Sequence, residues 1–293
     1  MRLFLAAPLV ALSVLRAPPP TPFVFATIDR PVGVAVTASA VFATQECSFH
    51  ITAIAPHGTS FLFATLPRRG QQCTERYIAV PTARFGGDLF ATQGRTAFRI
   101  SRGAVTRFVK LPPSVSPNGM GITFDRVGTW GGDMILTTHD GQVWRVSTSG
   151  SATFVADVGS QAEGPAVAPR SFSAAPGDIL VPNKFANEVF AVEPDGTVMP
   201  LASWDSPEKV DPVPSQPCTV GPGGPAYLVA LRGDDQLVGF PSANFTGLGG
   251  AMVTSELKTT IANMKNDGTI SPWSGPLGTQ GDEALEGSDF CRG

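Results

Sequence analysis

The sequence lacks most of the features that announce a function. Only 15% of its 293 residues are charged, 21 Lys plus Arg against 24 Asp plus Glu, for a net charge of -3. No basic run is longer than Arg68-Arg69, which excludes an electrostatic nucleic-acid binder. Beyond residue 15 no apolar run is long enough to span a bilayer. There is no Gly-x-Ser-x-Gly elbow, no His-Glu-x-x-His, no Walker loop and no Gly-x-Gly-x-x-Gly after a strand. Local signatures of serine, zinc and nucleotide chemistry are therefore missing. Of the four cysteines, none stands in a Cys-x-x-Cys pair.

Apolar residues and chain breakers are abundant. A 42% hydrophobic content excludes a disordered chain and supplies one large core. The 32 glycines and 27 prolines argue against a helical bundle and for a turn-rich all-β protein. At the N-terminus, Arg2, the apolar run Leu3 to Leu15 and Arg16-Ala17 read as a signal peptide over residues 1–17, followed by a Pro-rich linker over 18–22. Four cysteines in a secreted or periplasmic chain suit two disulfides. Nearness in sequence favours Cys47 with Cys73, leaving Cys218 with Cys291, although three connectivities are open.

Self-similarity carries the fold. Gly86-Gly87-Asp88-Leu89-Phe90, Gly131-Gly132-Asp133-Met134-Ile135 and Pro176-Gly177-Asp178-Ile179-Leu180 place their aspartates 45 residues apart, with degenerate copies at Ser39 to Phe42 and Gly249 to Val253. A second apolar alternation follows each, as in Val143-Trp144-Arg145-Val146, then a turn at Gly58, Gly103, Gly150, Gly196 or Gly268, then a further strand. Asp195-Gly196 and Asp267-Gly268 suggest type I′ hairpin turns. Four short strands per unit of this length predict a β-propeller over residues 23–293. The fifth unit carries an insertion around Leu231 to Leu248, expected as a surface loop or small hairpin, with the sequon Asn244-Phe245-Thr246. Phe23 to Thr27 echoes a last strand and Glu286 to Phe290 a first strand. The expectation is five four-stranded blades plus a partial sixth made of the two ends and lacking its middle strands.

Aligning the units predicts two polar rings on one face. The loops leading into the innermost strands present Arg30, Glu75, Asn118, Glu163, Gly223 and Glu286. The second-strand ends present Gln45, Gln93, Thr138, Asn183 and Glu256, with His139-Asp140 beside Thr138. Glu75, Asn118, Glu163 and Glu286 are hard oxygen donors suited to Ca²⁺. Gln45, Gln93, Thr138, His139, Asn183 and Glu256 form the expected ligand-binding ring.

The phrases Pro117-Asn118-Gly119-Met120-Gly121-Ile122 and Glu163-Gly164-Pro165-Ala166-Val167 resemble first-strand phrases of six-bladed propellers of the gluconolactonase/regucalcin, NHL-repeat and streptogramin-lyase type. In the lactonase branch a Glu, two Asn and an Asp hold a divalent metal. The resemblance puts Glu163 and Asn118 in two of those places and leaves Asn183 and Asp289 as stand-ins for the others. The lyase branch uses a catalytic His near metal-binding carboxylates, for which His50 and His139 are the channel-face candidates.

Two functions follow as expectations. Rings of amides and carboxylates suit a monomeric binding module for a small molecule, glycan or protein segment, with no nucleic-acid partner. The alternative is a lactonase/esterase-type hydrolase or lyase, with Ca²⁺ or Mg²⁺ held by Glu163 and Asn118 in the channel.

Overall fold

A computed structural model describes residues 21–68, 73–159, 161–278 and 285–292; the signal peptide expected over 1–17 lies outside them. Six four-stranded antiparallel sheets form the six blades of a β-propeller. The innermost strands are Pro31–Val36, Ile78–Ala79, Ile122–Phe124, Ala166–Val167, Pro207–Pro212 and Leu285–Phe290, for blades 1 to 6. We call the end of the channel where these strands begin the upper end, and the end where they finish the lower end.

The sixth blade corrects the reading of the insertion. It is complete: Leu285–Phe290 is followed outward by Tyr227–Leu231, Gln236–Phe240 and Phe23–Thr27. The segment expected as a loop in blade 5 is the middle hairpin of blade 6. Blade 5 makes its inner strand Pro207–Pro212, lends the chain to its neighbour, and resumes with Ala251–Ser255. Tyr227 accordingly stacks on Phe290 with ring centroids 4.4 Å apart, and Phe245 packs edge-on against Phe290 at 4.9 Å. The disulfide Cys218–Cys291 ties the start of the lent segment to the end of the inner strand, and Cys47–Cys73 links blades 1 and 2.

Burial explains the apolar runs. Second strands such as Leu89–Gln93, Met134–Thr137 and Ile179–Asn183 are buried at every position, because a blade on each side covers both faces. Outer strands such as Ser60–Thr65 keep one buried residue, Ala64. Between blades 2 and 3 the core is aromatic, with Phe85, Phe90 and Phe124 in edge-to-face contact at 4.9–5.7 Å.

The turn glycines serve two purposes. Gly58, Gly150 and Gly196 have φ of 83°, 82° and 90°. A Cβ there would stand 2.6, 2.9 and 2.7 Å from the carbonyls of Phe25, Phe108 and Val155, each in the outer strand of the preceding blade. The repeat thus encodes blade contact as well as the turn. At Asp195 and Asp267 only the following glycine has positive φ, so these are type I turns closed by a left-handed Gly and not type I′ turns. The type I′ pattern occurs at Arg102-Gly103, with φ of 49° and 84°.

Candidate functional site

The upper end is organised by the two residues that close the second strand, Thr-Gln in blades 1 and 2, Thr137-Thr138 in blade 3 and Pro182-Asn183 in blade 4. The threonine reaches forward: the hydroxyls of Thr44, Thr92 and Thr137 donate to the carbonyls of Arg76, Met120 and Glu163 in the next blade, Thr92 at 2.7 Å. The following residue reaches back. Gln45, Gln93 and Asn183 donate side-chain N–H to the carbonyls of Asp29, Pro67 and Val158, at 2.9, 3.0 and 2.8 Å. Blades 1, 2 and 3 are thereby bolted to both neighbours, and the backbone at Glu163 is fixed twice, its own N–H donating to Pro182.

These bolts also fix the register. The position equivalent to Glu163 is Arg76 in blade 2 and Met120 in blade 3, so Glu75 stands one residue ahead of it and Asn118 two. Asn118 is exposed. Gly223 is exposed in the loop before Tyr227–Leu231, outside the inner ring. Blade 5 instead supplies Glu208 at this level, which the sequence reading missed. Arg30 is exposed and pairs with Glu46.

A dense charge cluster results. Glu163, Glu208 and Glu286 project from the inner strands or their leading residues and are at most 1% exposed. The turns after the second strands add His139, Lys184, Glu256, Arg232 and Glu46. His139 Nε2 lies 2.9 Å from Glu75 Oε2 and 3.7 Å from Glu163 Oε2. Lys184 pairs with Glu256, and Arg232 lies 3.3 Å from both Glu286 and Glu46. The Tyr77 hydroxyl donates to Glu208 and sits 3.4 Å from Glu163 Oε2. Gly119 leaves room for the imidazole, because a Cβ there would stand 2.7 Å from His139 Nε2.

Protonation follows from burial and neighbours. Burial pushes Glu163, Glu208 and Glu286 well above the usual carboxylate range, and the adjacent carboxylates add to it. Burial also acts to raise Glu75, but the hydrogen bond and charge of His139 outweigh it and hold Glu75 low. Burial acts to lower His139, and Glu75 overcomes it, so the imidazole holds its proton more tightly than usual and would have to release it to ligate a metal. Lys184 is raised because Glu208, Glu163 and Glu256 together outweigh its desolvation.

The donor set fits a divalent cation. One atom each from Glu75, His139 and Glu163 lie within 4.8 Å of one another, and two donors at about 2.3–2.6 Å from one Ca²⁺ stand at most about 5 Å apart. Glu163 Oε1 and Glu208 Oε2 are buried without a hydrogen-bond partner among the described residues, an unmet demand for positive charge. Of the predicted metal residues, Glu75 and Glu163 converge; Glu286 joins through Arg232, and Asn118 stays outside on the rim. Of the predicted ligand ring, His139 and Glu256 belong to the cluster. Thr138 caps its own turn toward the Gln142 N–H at 3.0 Å. His50 is exposed at the start of its strand. Asp289 is at the lower end, and Asn183 is a bolt.

The lower end is open. A cavity of about 540 Å³ is lined by the ends of the inner strands and by Arg126, Lys209, Asp211, Ser288, Asp289 and Arg292. Of these residues the sequence singled out only Asp289, as a stand-in metal donor; the others lie at the strand ends opposite to the two aligned rings.

The fold and this mouth define a six-bladed β-propeller with a buried, charged upper channel. Among solved structures, the chain resembles a putative gluconolactonase (12% identity, TM-score 0.58, 94% of this chain and 85% of that one). It also resembles regucalcin, a calcium-binding protein from Agrobacterium tumefaciens (11%, 0.57, 94% and 83%), and virginiamycin B lyase from Staphylococcus aureus (13%, 0.53, 88% and 74%). At these identities the likeness concerns the fold. No family model matches the chain, and no curated protein matches it in sequence.

Proposed function

We propose that the chain is a divalent-metal-dependent hydrolase or lyase acting at the upper mouth, with Glu75, His139 and Glu163 as the metal-holding residues. The observation that carries this reading is the convergence of those three donors beside buried, unpartnered carboxylate oxygens of Glu163 and Glu208. A bound Ca²⁺ or Mg²⁺ would supply Lewis-acid polarisation of an ester or lactone carbonyl. The chain's own residues do the rest. Glu75 orients His139, Gly119 admits its ring, and Thr137 holds the backbone of Glu163. Tyr77 and Glu208 keep a proton at the foot of the site, and Lys184 offsets the carboxylate charge. Phe185, 70% exposed beside Lys184, offers an apolar surface for a substrate at the rim.

The binding-module reading loses support because Gln45, Gln93 and Asn183 spend side-chain donors on neighbouring blades. The apolar start of the chain and the two disulfides support a secreted or periplasmic setting. The test is calorimetric titration with Ca²⁺, Mg²⁺, Mn²⁺ and Zn²⁺, followed by lactone and ester hydrolysis on the loaded protein. Binding by the parent chain and its loss in Glu163→Gln support the site. Absence of binding for all four ions sinks it.

A further inference from the structure

The lower cavity plays no part in the reading above. Its volume of about 540 Å³ lies in the range that takes a small organic molecule. Two arginines reach it from opposite sides of the ring. Arg126 follows the inner strand of blade 3, and Arg292 follows that of blade 6. Each is anchored once: Arg126 Nη2 donates to the Val80 carbonyl at 2.6 Å, and Arg292 Nη2 to the Pro212 carbonyl at 3.1 Å. A guanidinium carries five N–H donors in a planar fork, so most of each fork remains available.

The carboxylates beside them are already engaged. Asp211 accepts from the hydroxyls of Ser288 at 2.5 Å and Tyr227 at 3.4 Å and pairs with Lys209 at 3.3 Å. Asp289 accepts the Val36 N–H at 3.0 Å, and its 3.8 Å separation from Arg292 is too long for a hydrogen bond. Partial burial and the facing charge of Arg292 together lower the pKa of Arg126, a sign that the two cations are near enough to repel. The rest of the lining includes Ile78, Ile122, Phe245 and Leu248, which are apolar.

We infer that the lower cavity binds a small organic carboxylate, its charged group bridged between Arg126 and Arg292 and its apolar body lying against Ile122 and Phe245. Bidentate guanidinium geometry matches a carboxylate, and an apolar body fits the remaining wall. The site is separate from the upper mouth and stands or falls without it.

The probe is benzoate, titrated calorimetrically into the full chain, with benzyl alcohol as the uncharged body and inorganic phosphate as the bodiless anion. Benzoate is expected to bind, with benzyl alcohol and phosphate each much weaker. Arg126→Gln and Arg292→Gln should each weaken benzoate roughly ten- to hundredfold, the usual worth of a hydrogen bond to a charged group, with the melting temperature of the free protein unchanged. The proposal is overturned by no benzoate binding, by equal binding of benzyl alcohol or phosphate, or by unchanged affinity in both variants.

Discussion

The two ends of the channel are built from the same six strands and treat charge in opposite ways. At the upper end Glu163, Glu256 and Glu286 are fully buried, and their charges are met by His139, Lys184 and Arg232 from the next ring out. At the lower end the guanidiniums of Arg126 and Arg292 face an open cavity. The bolts described above draw blades 6, 1, 2, 3 and 4 together at the top. At the bottom the strand ends and their loops leave a cavity of about 540 Å³ between them. A sealed charge must be answered inside the protein, whereas an open one can be answered by a ligand.

The sharpest way to break that contrast is to remove an internal answer. Lys184→Met should destabilise the protein by roughly 3–5 kcal/mol in urea unfolding, because it strands Glu163, Glu208 and Glu256 without their cation. Arg126→Gln at the lower end should leave unfolding unchanged. Equal losses would abolish the distinction.

Next in size is a pH effect at the lower end. Burial, opposed by Arg292 and reinforced by Asp211, pushes Asp289 up to about 6. A group raised in the folded state binds its proton more tightly there than in the unfolded chain, so stability falls as pH rises from about 4 to about 6. The loss is on the order of 3 kcal/mol. Asp289→Asn should flatten that part of the curve, and an unaltered slope would assign it elsewhere.

The two tyrosines offer a smaller, matched comparison. Tyr77→Phe should cost about 1–2 kcal/mol by leaving Glu208 without its donor. Tyr227→Phe should cost less, because Asp211 keeps Ser288 and Lys209. The smallest change belongs to the outside: Asp88→Asn breaks a partly exposed pair with Arg99 and should shift stability by less than about 0.5 kcal/mol. Chemical denaturation of the three variants side by side tests the ranking.

Much of this was legible in the primary structure. The spacing of Gly58, Gly103, Gly150 and Gly196 gives the blade, because a turn with positive φ and no room for a Cβ tolerates little else. Cys47–Cys73 and Cys218–Cys291 are the pairs that proximity favours. Glu75, Glu163, Glu286, His139 and Glu256 were picked out by their repeat position, and they do share the upper end. Glu208 and Lys184 were not, since taking Gly223 as the entry of the fifth unit passes over the true inner strand Pro207–Pro212, and the Asn183 beside Lys184 drew attention to itself. Tyr77 has no counterpart in other blades, so periodicity gives no signal for it. Arg126 and Arg292 do share a repeat position, in Gly121-Ile122-Thr123-Phe124-Asp125-Arg126 and Gly287-Ser288-Asp289-Phe290-Cys291-Arg292, but it lies at the opposite strand end from the two rings, which an alignment of strand entries does not reach.

The sequence by itself determined the four-stranded unit, its turns and its apolar alternation, because those depend on contacts between near neighbours in the chain. Only the tertiary structure decided which sheet each hairpin joins. Residues 227–240 carry the same local pattern whether they form a flap on blade 5 or the middle of blade 6, and the choice rests on pairing with Leu285–Phe290 and Phe23–Thr27, far away along the chain. The same holds for the charges. A glutamate's position is written in the repeat, but whether it is buried, paired or left wanting a cation is settled by what the opposite blades bring to the axis.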